Sequence, residues 1–212
     1  MLSAEEIVSQ QDRETRAWHQ AEAGAAKPGS CTDWLNLVSG QHRANFELWH
    51  IEDEARVPGA TDAEIAAVKR RVDSTNQRRN DLAEGLDSAL LAWLAARDLP
   101  NPAAALHSET PGLMIDRLSI LALKIYHTRE EAERANAPEG HAQRNLDRLA
   151  ILEEQRADLA ACLDALWGEI LAGTKRFKLY RQLKMYNDPS LNPAVYGNSG
   201  TAGQAKLTGR SG

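Results

Sequence analysis

A segment of this chain recurs at a constant shift of 77 positions, and that recurrence restricts the folds open to it. Arg79, Asp81, Leu82, Ala83, Leu86 and Asp87 reappear as Arg156, Asp158, Leu159, Ala160, Leu163 and Asp164. In the same register, without a gap, His50, Glu54 and Ala55 fall on His127, Glu131 and Ala132, with Trp49 opposite Tyr126. Amphipathic helices imitate one another through their common period. A common period alone does not keep a histidine pair in register with a distant Arg/Asp pair. The pattern predicts two helical hairpins, 42–93 and 119–170, as copies of one unit. Each carries a His followed by acidic residues on its first helix and an Arg/Asp set on its second. Packed about a pseudo-two-fold axis, the copies would bring these polar groups to one shared site.

The punctuation between the hairpins completes an all-α reading. Ser3 with Glu6 forms a capping box ahead of a helix over 3–23, and Gly24–Ser30 breaks it. A second helix runs from about Thr32 to Val57 and stops at Pro58-Gly59. Thr61 with Glu64 starts a third, to about Arg97, and Thr110-Pro111 starts a fourth, to about Arg134. A fifth ends near Leu171, and a short basic helix over 174–186 follows. The expectation is an antiparallel helical bundle, one domain over 1–196, with a Gly/Ser-rich disordered tail at 197–212.

Composition excludes several classes of function. A formal charge of −5 argues against a general nucleic-acid binder. The most apolar stretch, Gly112–Tyr126, is interrupted by Asp116, Arg117 and Lys124, so no transmembrane segment is expected. No basic-then-apolar leader opens the chain. Cys31 and Cys162 lack metal-site spacing and read as buried thiols in a reducing compartment, which predicts a cytoplasmic protein. Long helices of this kind also suit a homodimer.

Polar residues against the apolar grain supply the candidate site. On the second helix Arg43, Glu47, His50 and Glu54 form one stripe, with Asn45, Glu52 and Arg56 roughly opposite. The fourth helix is apolar nearly all round, with Asp116, Arg117, Lys124 and His127 in a narrow seam. Burying an ionised group is costly unless it is paired, so Asp116 requires Arg117 and Lys124 or a ligand. Three chemistries fit. Glu47-x-x-His50 has the spacing of a di-iron ligand pair, but Lys124 replaces the second Glu in Lys124-x-x-His127. A single divalent cation held by Glu47, Asp53, Glu84 or Asp87 demands less. The helix start at Thr110-Pro111-Gly112 offers backbone N–H groups to a phosphate, with Arg117, Lys124 and Arg79 as further cationic groups. His50 and His127, each near carboxylates, suit proton transfer with Asp116 positioning them. The basic residues Lys175, Arg176, Lys178, Arg181 and Lys184 read as a solvated face.

Trp49–Asp53 with Arg56, Asn76–Asp81, Glu109–Gly112 running into Ile115–Leu121, Lys124–His127 and Lys184–Pro189 together resemble the bacterial family catalogued as domain of unknown function 4254. The resemblance implies no established activity. It implies a setting beside glycosyltransferases of surface-polysaccharide assembly. Two functions follow as expectations: a protein that binds or processes a small anionic, phosphorylated metabolite in cell-surface glycan synthesis, or a non-catalytic adaptor for a glycosyltransferase or another envelope enzyme.

Overall fold

The computed structural model describes residues 2–21, 33–183 and 191. Within these lie five helices: α1 (Ala4–Ala21), α2 (Asp33–Glu54), α3 (Asp62–Ala95), α4 (Pro111–Glu133) and α5 (His141–Leu171). The short strands β1 (Ala105–Leu106) and β2 (Lys175–Arg176) complete the regular structure. Met1–Leu179 forms one compact unit and Tyr180–Gly212 a second, of which only Tyr180–Leu183 and Leu191 are described. The tail at 197–212 lies outside the described residues.

Local chemistry sets the helix ends where the sequence places them. Ser3 Oγ accepts from the Glu6 N–H at the start of α1. At α3 the Thr61–Glu64 box is complete, with each side chain bonded to the other residue's backbone N–H. Thr110 caps α4, and Pro111, which has no N–H to leave unsatisfied, follows in its first turn. Gly173, at φ 72°, ends α5 in a left-handed conformation that a Cβ would disfavour.

The chain departs from expectation after α5. Lys175 and Arg176 pair in parallel with Ala105 and Leu106 instead of starting a helix. The His107 N–H donates to the Arg176 carbonyl at 2.8 Å, and Arg176 Nε donates to the Ala104 carbonyl. Phe177, 2 % exposed, enters the main core. The segment satisfies its backbone across the gap and buries its aromatic ring, which a basic helix over 174–186 would not achieve. Residues 177–183 have no regular structure, and 184–186 lie outside the described residues.

Helix direction is read from residue pairs. Glu47 and Glu54 of α2 meet Arg78 and Arg71 of α3, so this hairpin is antiparallel. Arg129 and Glu131 of α4 meet Glu153 and His141 of α5, so that one is too. Between the hairpins the sense reverses. His42 of α2 bonds Ser119 of α4, and His50 lies against His127, so α2 and α4 run parallel at the shift of 77. Gln11 bonds the α4 backbone at Ile115 and His19 lies against His127, which sets α1 parallel to both. The three parallel helices α1, α2 and α4 pack on one another, with α3 and α5 running the other way. Helix α4 touches all four others, which accounts for its apolar circumference.

Candidate metal centre

Because α1, α2 and α4 are parallel and in register, histidines in their later turns come together. His19 is in the last turn of α1, and His50 is one turn from the end of α2 at Glu54. One ring nitrogen of each of His19, His50 and His127 lies within 4.8 Å of the other two. Among the described residues this is the one group of three or more His, Cys, Asp or Glu side chains so disposed. Aromatic rings hold the imidazoles in place. Tyr126 stacks on His19 at 4.2 Å, Trp49 stacks on His127 at 4.7 Å, and Phe46 meets His19 and His50 edge-on. This packing follows from helical spacing: Phe46 precedes His50 by four residues, and Tyr126 adjoins His127.

The hydrogen bonds decide the tautomers. His19 Nδ1 lies 2.7 Å from the Thr15 carbonyl oxygen, and His127 Nδ1 lies 2.9 Å from Glu130 Oε2. A carbonyl oxygen and a carboxylate accept, so each Nδ1 carries a proton, and in the neutral form of either ring the lone pair is on Nε2. Nε2 of His19, His50 and His127 is buried and has no hydrogen-bond partner among the described residues. A buried unsatisfied polar atom costs about 1–3 kcal/mol, and the three rings that carry these atoms lie together. Burial is the main cause holding the His127 imidazole below the usual histidine range, against the upward pull of Glu130. A neutral imidazole is the ligand form. Tetrahedral zinc with bonds of about 2.0–2.1 Å needs nitrogens about 3.3 Å apart, so modest ring rotations would close the group on one ion. The Thr15 carbonyl and the Glu130 carboxylate are the outer partners that such ligands characteristically have. The C-terminal ends of α1 and α2 add a negative potential that favours a cation.

A buried polar network lies N-terminal to this cluster. Asp116 accepts from Gln41 Nε2 (2.5 Å), Asn45 Nδ2 (2.9 Å) and, in a bidentate pair, Arg79. Asn45 also donates to Ser119, which bonds His42 Nδ1 at 2.7 Å. His42 Nε2 reaches the Gln11 carbonyl and Thr15. Burial lowers the His42 pKa to about 3, so this ring is neutral and structural. Asp116 is therefore paired with Arg79 of α3, and neither Arg117 nor Lys124 of its own seam bonds it. It sits in the network, not in the histidine cluster, and Arg79 is committed to it instead of to a ligand.

The repeated Arg/Asp sets do not converge. Each holds down a neighbouring helix. Asp87 accepts from the Gly112 N–H at 2.7 Å and from the Thr110 hydroxyl at the start of α4. Asp164 accepts from the Ala4 N–H at 2.9 Å at the start of α1. Arg79 then pairs with Asp116 of α4, and Arg156 with Asp12 of α1 at 2.6 Å.

This corrects the anion site expected at Thr110 and Gly112. Both are buried, and the protein's own Asp87 takes the Gly112 N–H that was assigned to a phosphate. A Cβ at Gly112 would lie 2.8 Å from Asp87 Oδ1 and closer still to the Ala83 carbonyl oxygen. Gly112 thus serves close approach of α3, not of a ligand. Arg117 and Lys124 are exposed and line an open groove between α4 and α5 with His107, Glu109, Asp158 and Cys162, where Arg117 pairs with Glu109 at 2.6 Å. Cys162, read as a buried thiol, is exposed; Cys31 lies outside the described residues. Of the carboxylates expected to hold a metal, Glu47 pairs with Arg43 and Arg78, Asp53 pairs with Arg56, and Asp87 accepts from Thr110 and Gly112. His50 and His127 do meet, as the shared register predicts. His19 was missed, because α1 lies outside the repeat and a lone helical histidine carries no motif.

The family model described as "Protein of unknown function (DUF4254)" matches residues 35–179, and the chain belongs to that family. The match omits α1 and so includes two of the three histidines. No curated protein and no solved structure matches the chain.

Proposed function

We propose that this member of the DUF4254 family is a metal-dependent protein whose His19, His50 and His127 hold one divalent transition-metal ion, zinc or a close relative, at a working centre. The observation that carries the reading is a cluster of three imidazoles, each with one ring nitrogen within 4.8 Å of the other two and each with a buried Nε2 that has no hydrogen-bond partner among the described residues. Imidazole suits zinc, copper, nickel and iron, and three histidines leave a tetrahedral ion one position for water or substrate. Structural zinc sites use four protein ligands, and the described residues supply three. A bound ion of this kind supplies a polarising charge and a water of lowered pKa. Residues of the chain do the rest. Glu130 fixes the His127 tautomer, Thr15 fixes that of His19, and Trp49, Phe46 and Tyr126 exclude bulk water. The substrate class we attach to the centre is a small anionic metabolite.

Metal analysis tests the proposal. Purified protein titrated with Zn(II) or Co(II) should bind one ion per chain and gain thermal stability, an effect reversed by chelator. His19→Ala, His50→Ala and His127→Ala should each abolish tight binding in a chain that keeps its helical circular dichroism. Glu130→Gln should weaken binding by about 10–100-fold. Wild-type protein that takes up neither metal, or a triple variant that binds as well, would leave the adaptor reading in its place.

A further inference from the structure

Resting on that metal-centre reading, we infer that the anionic group of the substrate is an oxyanion bound in the groove between α2 and α3, with Arg43 as its principal ligand. His50 belongs to the histidine cluster and also lines this groove, together with Arg43, Glu47, Glu54, Arg71 and Thr75. No histidine of the cluster lines the groove between α4 and α5, or the one between α2 and α4. Of these three grooves, the α2–α3 one shares a side chain with the centre.

Side-chain charge sets the α2–α4 groove apart as the least suited to an anion. In the α2–α3 groove Arg43 and Arg71 balance Glu47 and Glu54, and Arg78, outside its lining, pairs with Glu47 from α3. In the α4–α5 groove Arg117 and Lys124 are offset by Glu109 and Asp158. In the α2–α4 groove Glu52 and Asp53 outnumber Arg56. A divalent ion beside His50 would add to the first of these totals, and converging positive charge concentrates anions at a cleft.

Arg43 is prepared for the task. Its guanidinium carbon lies 5.0 Å from the Trp18 ring centre and 4.9 Å from that of Phe46, which orients the plane. Its Nε donates to Glu47 at 3.1 Å, and among the described residues both Nη groups lack a partner. Those N–H groups form the edge that matches a phosphate or carboxylate in bidentate fashion. Arg71, by contrast, spends both Nη atoms on Glu54.

The experiment uses full-length protein loaded with Co(II), and inorganic phosphate as the probe, followed through the visible Co(II) spectrum. Phosphate should perturb the spectrum in the wild type and in Lys124→Gln with equal affinity. In Arg43→Gln it should bind roughly tenfold more weakly, the scale of one charge-assisted hydrogen bond, and Arg43→Lys should fall between. The phosphate-free spectrum of each variant reports whether the centre is intact, and Arg43→Lys carries the comparison if Arg43→Gln has lost it. A Co(II) centre blind to phosphate, or one whose phosphate affinity falls in Lys124→Gln and not in the Arg43 variants, overturns this inference alone. Failure to take up Co(II) overturns the metal centre and this inference with it.

Discussion

Helices α3 and α5 carry the same Arg and Asp at the same spacing, and each pair grips a different partner helix in a different environment. Asp87 is 3 % exposed at the start of α4, whereas its counterpart Asp164 is exposed at the start of α1. Arg79 binds a carboxylate that also serves Gln41 and Asn45; Arg156 binds Asp12, for which no further hydrogen bond is described. The partner of Asp87 is Gly112, because α3 and α4 approach too closely for a Cβ; the partner of Asp164 is Ala4. The same local motif thus works at the centre of the molecule and near its edge. What differs is the energy each copy commands, since α4 is enclosed by four helices.

The largest expected effect separates the two arginine pairs. Asp116→Ala leaves Arg79, Gln41 and Asn45 without their acceptor in a buried site and should cost about 3–5 kcal/mol of unfolding free energy. Asp12→Ala removes a less enclosed pair and should cost about 1 kcal/mol or less. Urea denaturation of both variants measures the difference; equal losses would erase the distinction between centre and edge.

The next effect is in the pH dependence. Burial raises Asp87 from 3.8 to about 6, overcoming the bonds from Thr110 and Gly112 that pull it down. Folding therefore favours protonated Asp87. Its contribution is fully present below about pH 3.8 and is lost as pH rises through 6. His42 works in the opposite sense. Lowered from 6.5 to about 3, it stabilises the fold above pH 6.5, and that contribution is lost as pH falls toward 3. Between about pH 4 and 6 the two slopes, each at most about 1.4 kcal/mol per pH unit, oppose one another. Asp87→Asn should expose the His42 slope, so that stability falls more steeply with acid than in the wild type. Unfolding free energy measured at intervals from pH 4 to 7 checks this.

A smaller contrast concerns the caps. Gly112→Ala forces α4 away from the α3 backbone and should cost about 1–3 kcal/mol. Ala4→Gly retains the N–H that Asp164 accepts and should cost about 1 kcal/mol or less. Thermal melts of the two variants suffice; a Gly112→Ala protein as stable as the wild type would show that the α3–α4 approach can relax.

Much of the fold was legible in the residues because helix ends are set locally. The Thr61–Glu64 box, Thr110-Pro111 and Gly173 act on their own backbone, and the helices begin or end beside them. The exception over 174–183 has the same explanation in reverse. Basic residues at helical spacing were overridden by a tertiary event, the pairing of Lys175 and Arg176 with a distant strand and the burial of Phe177. The site was only half legible. The shift of 77 aligned His50 with His127, and the parallel packing of α2 and α4 places them together. It held no information about His19, and it suggested that the Arg/Asp sets would join the histidines, when geometry gives them to the helix starts.

By itself the sequence determined that this chain is helical and where most of its helices begin and end. These depend on caps, breakers and periodicity, all of which act within a few residues. Only the tertiary structure decided that α1, α2 and α4 run parallel, that Asp116 answers to Arg79, and that three histidines from three helices share a buried point. Those outcomes depend on which faces pack and in what direction, and helix packing is settled by burial over the whole molecule.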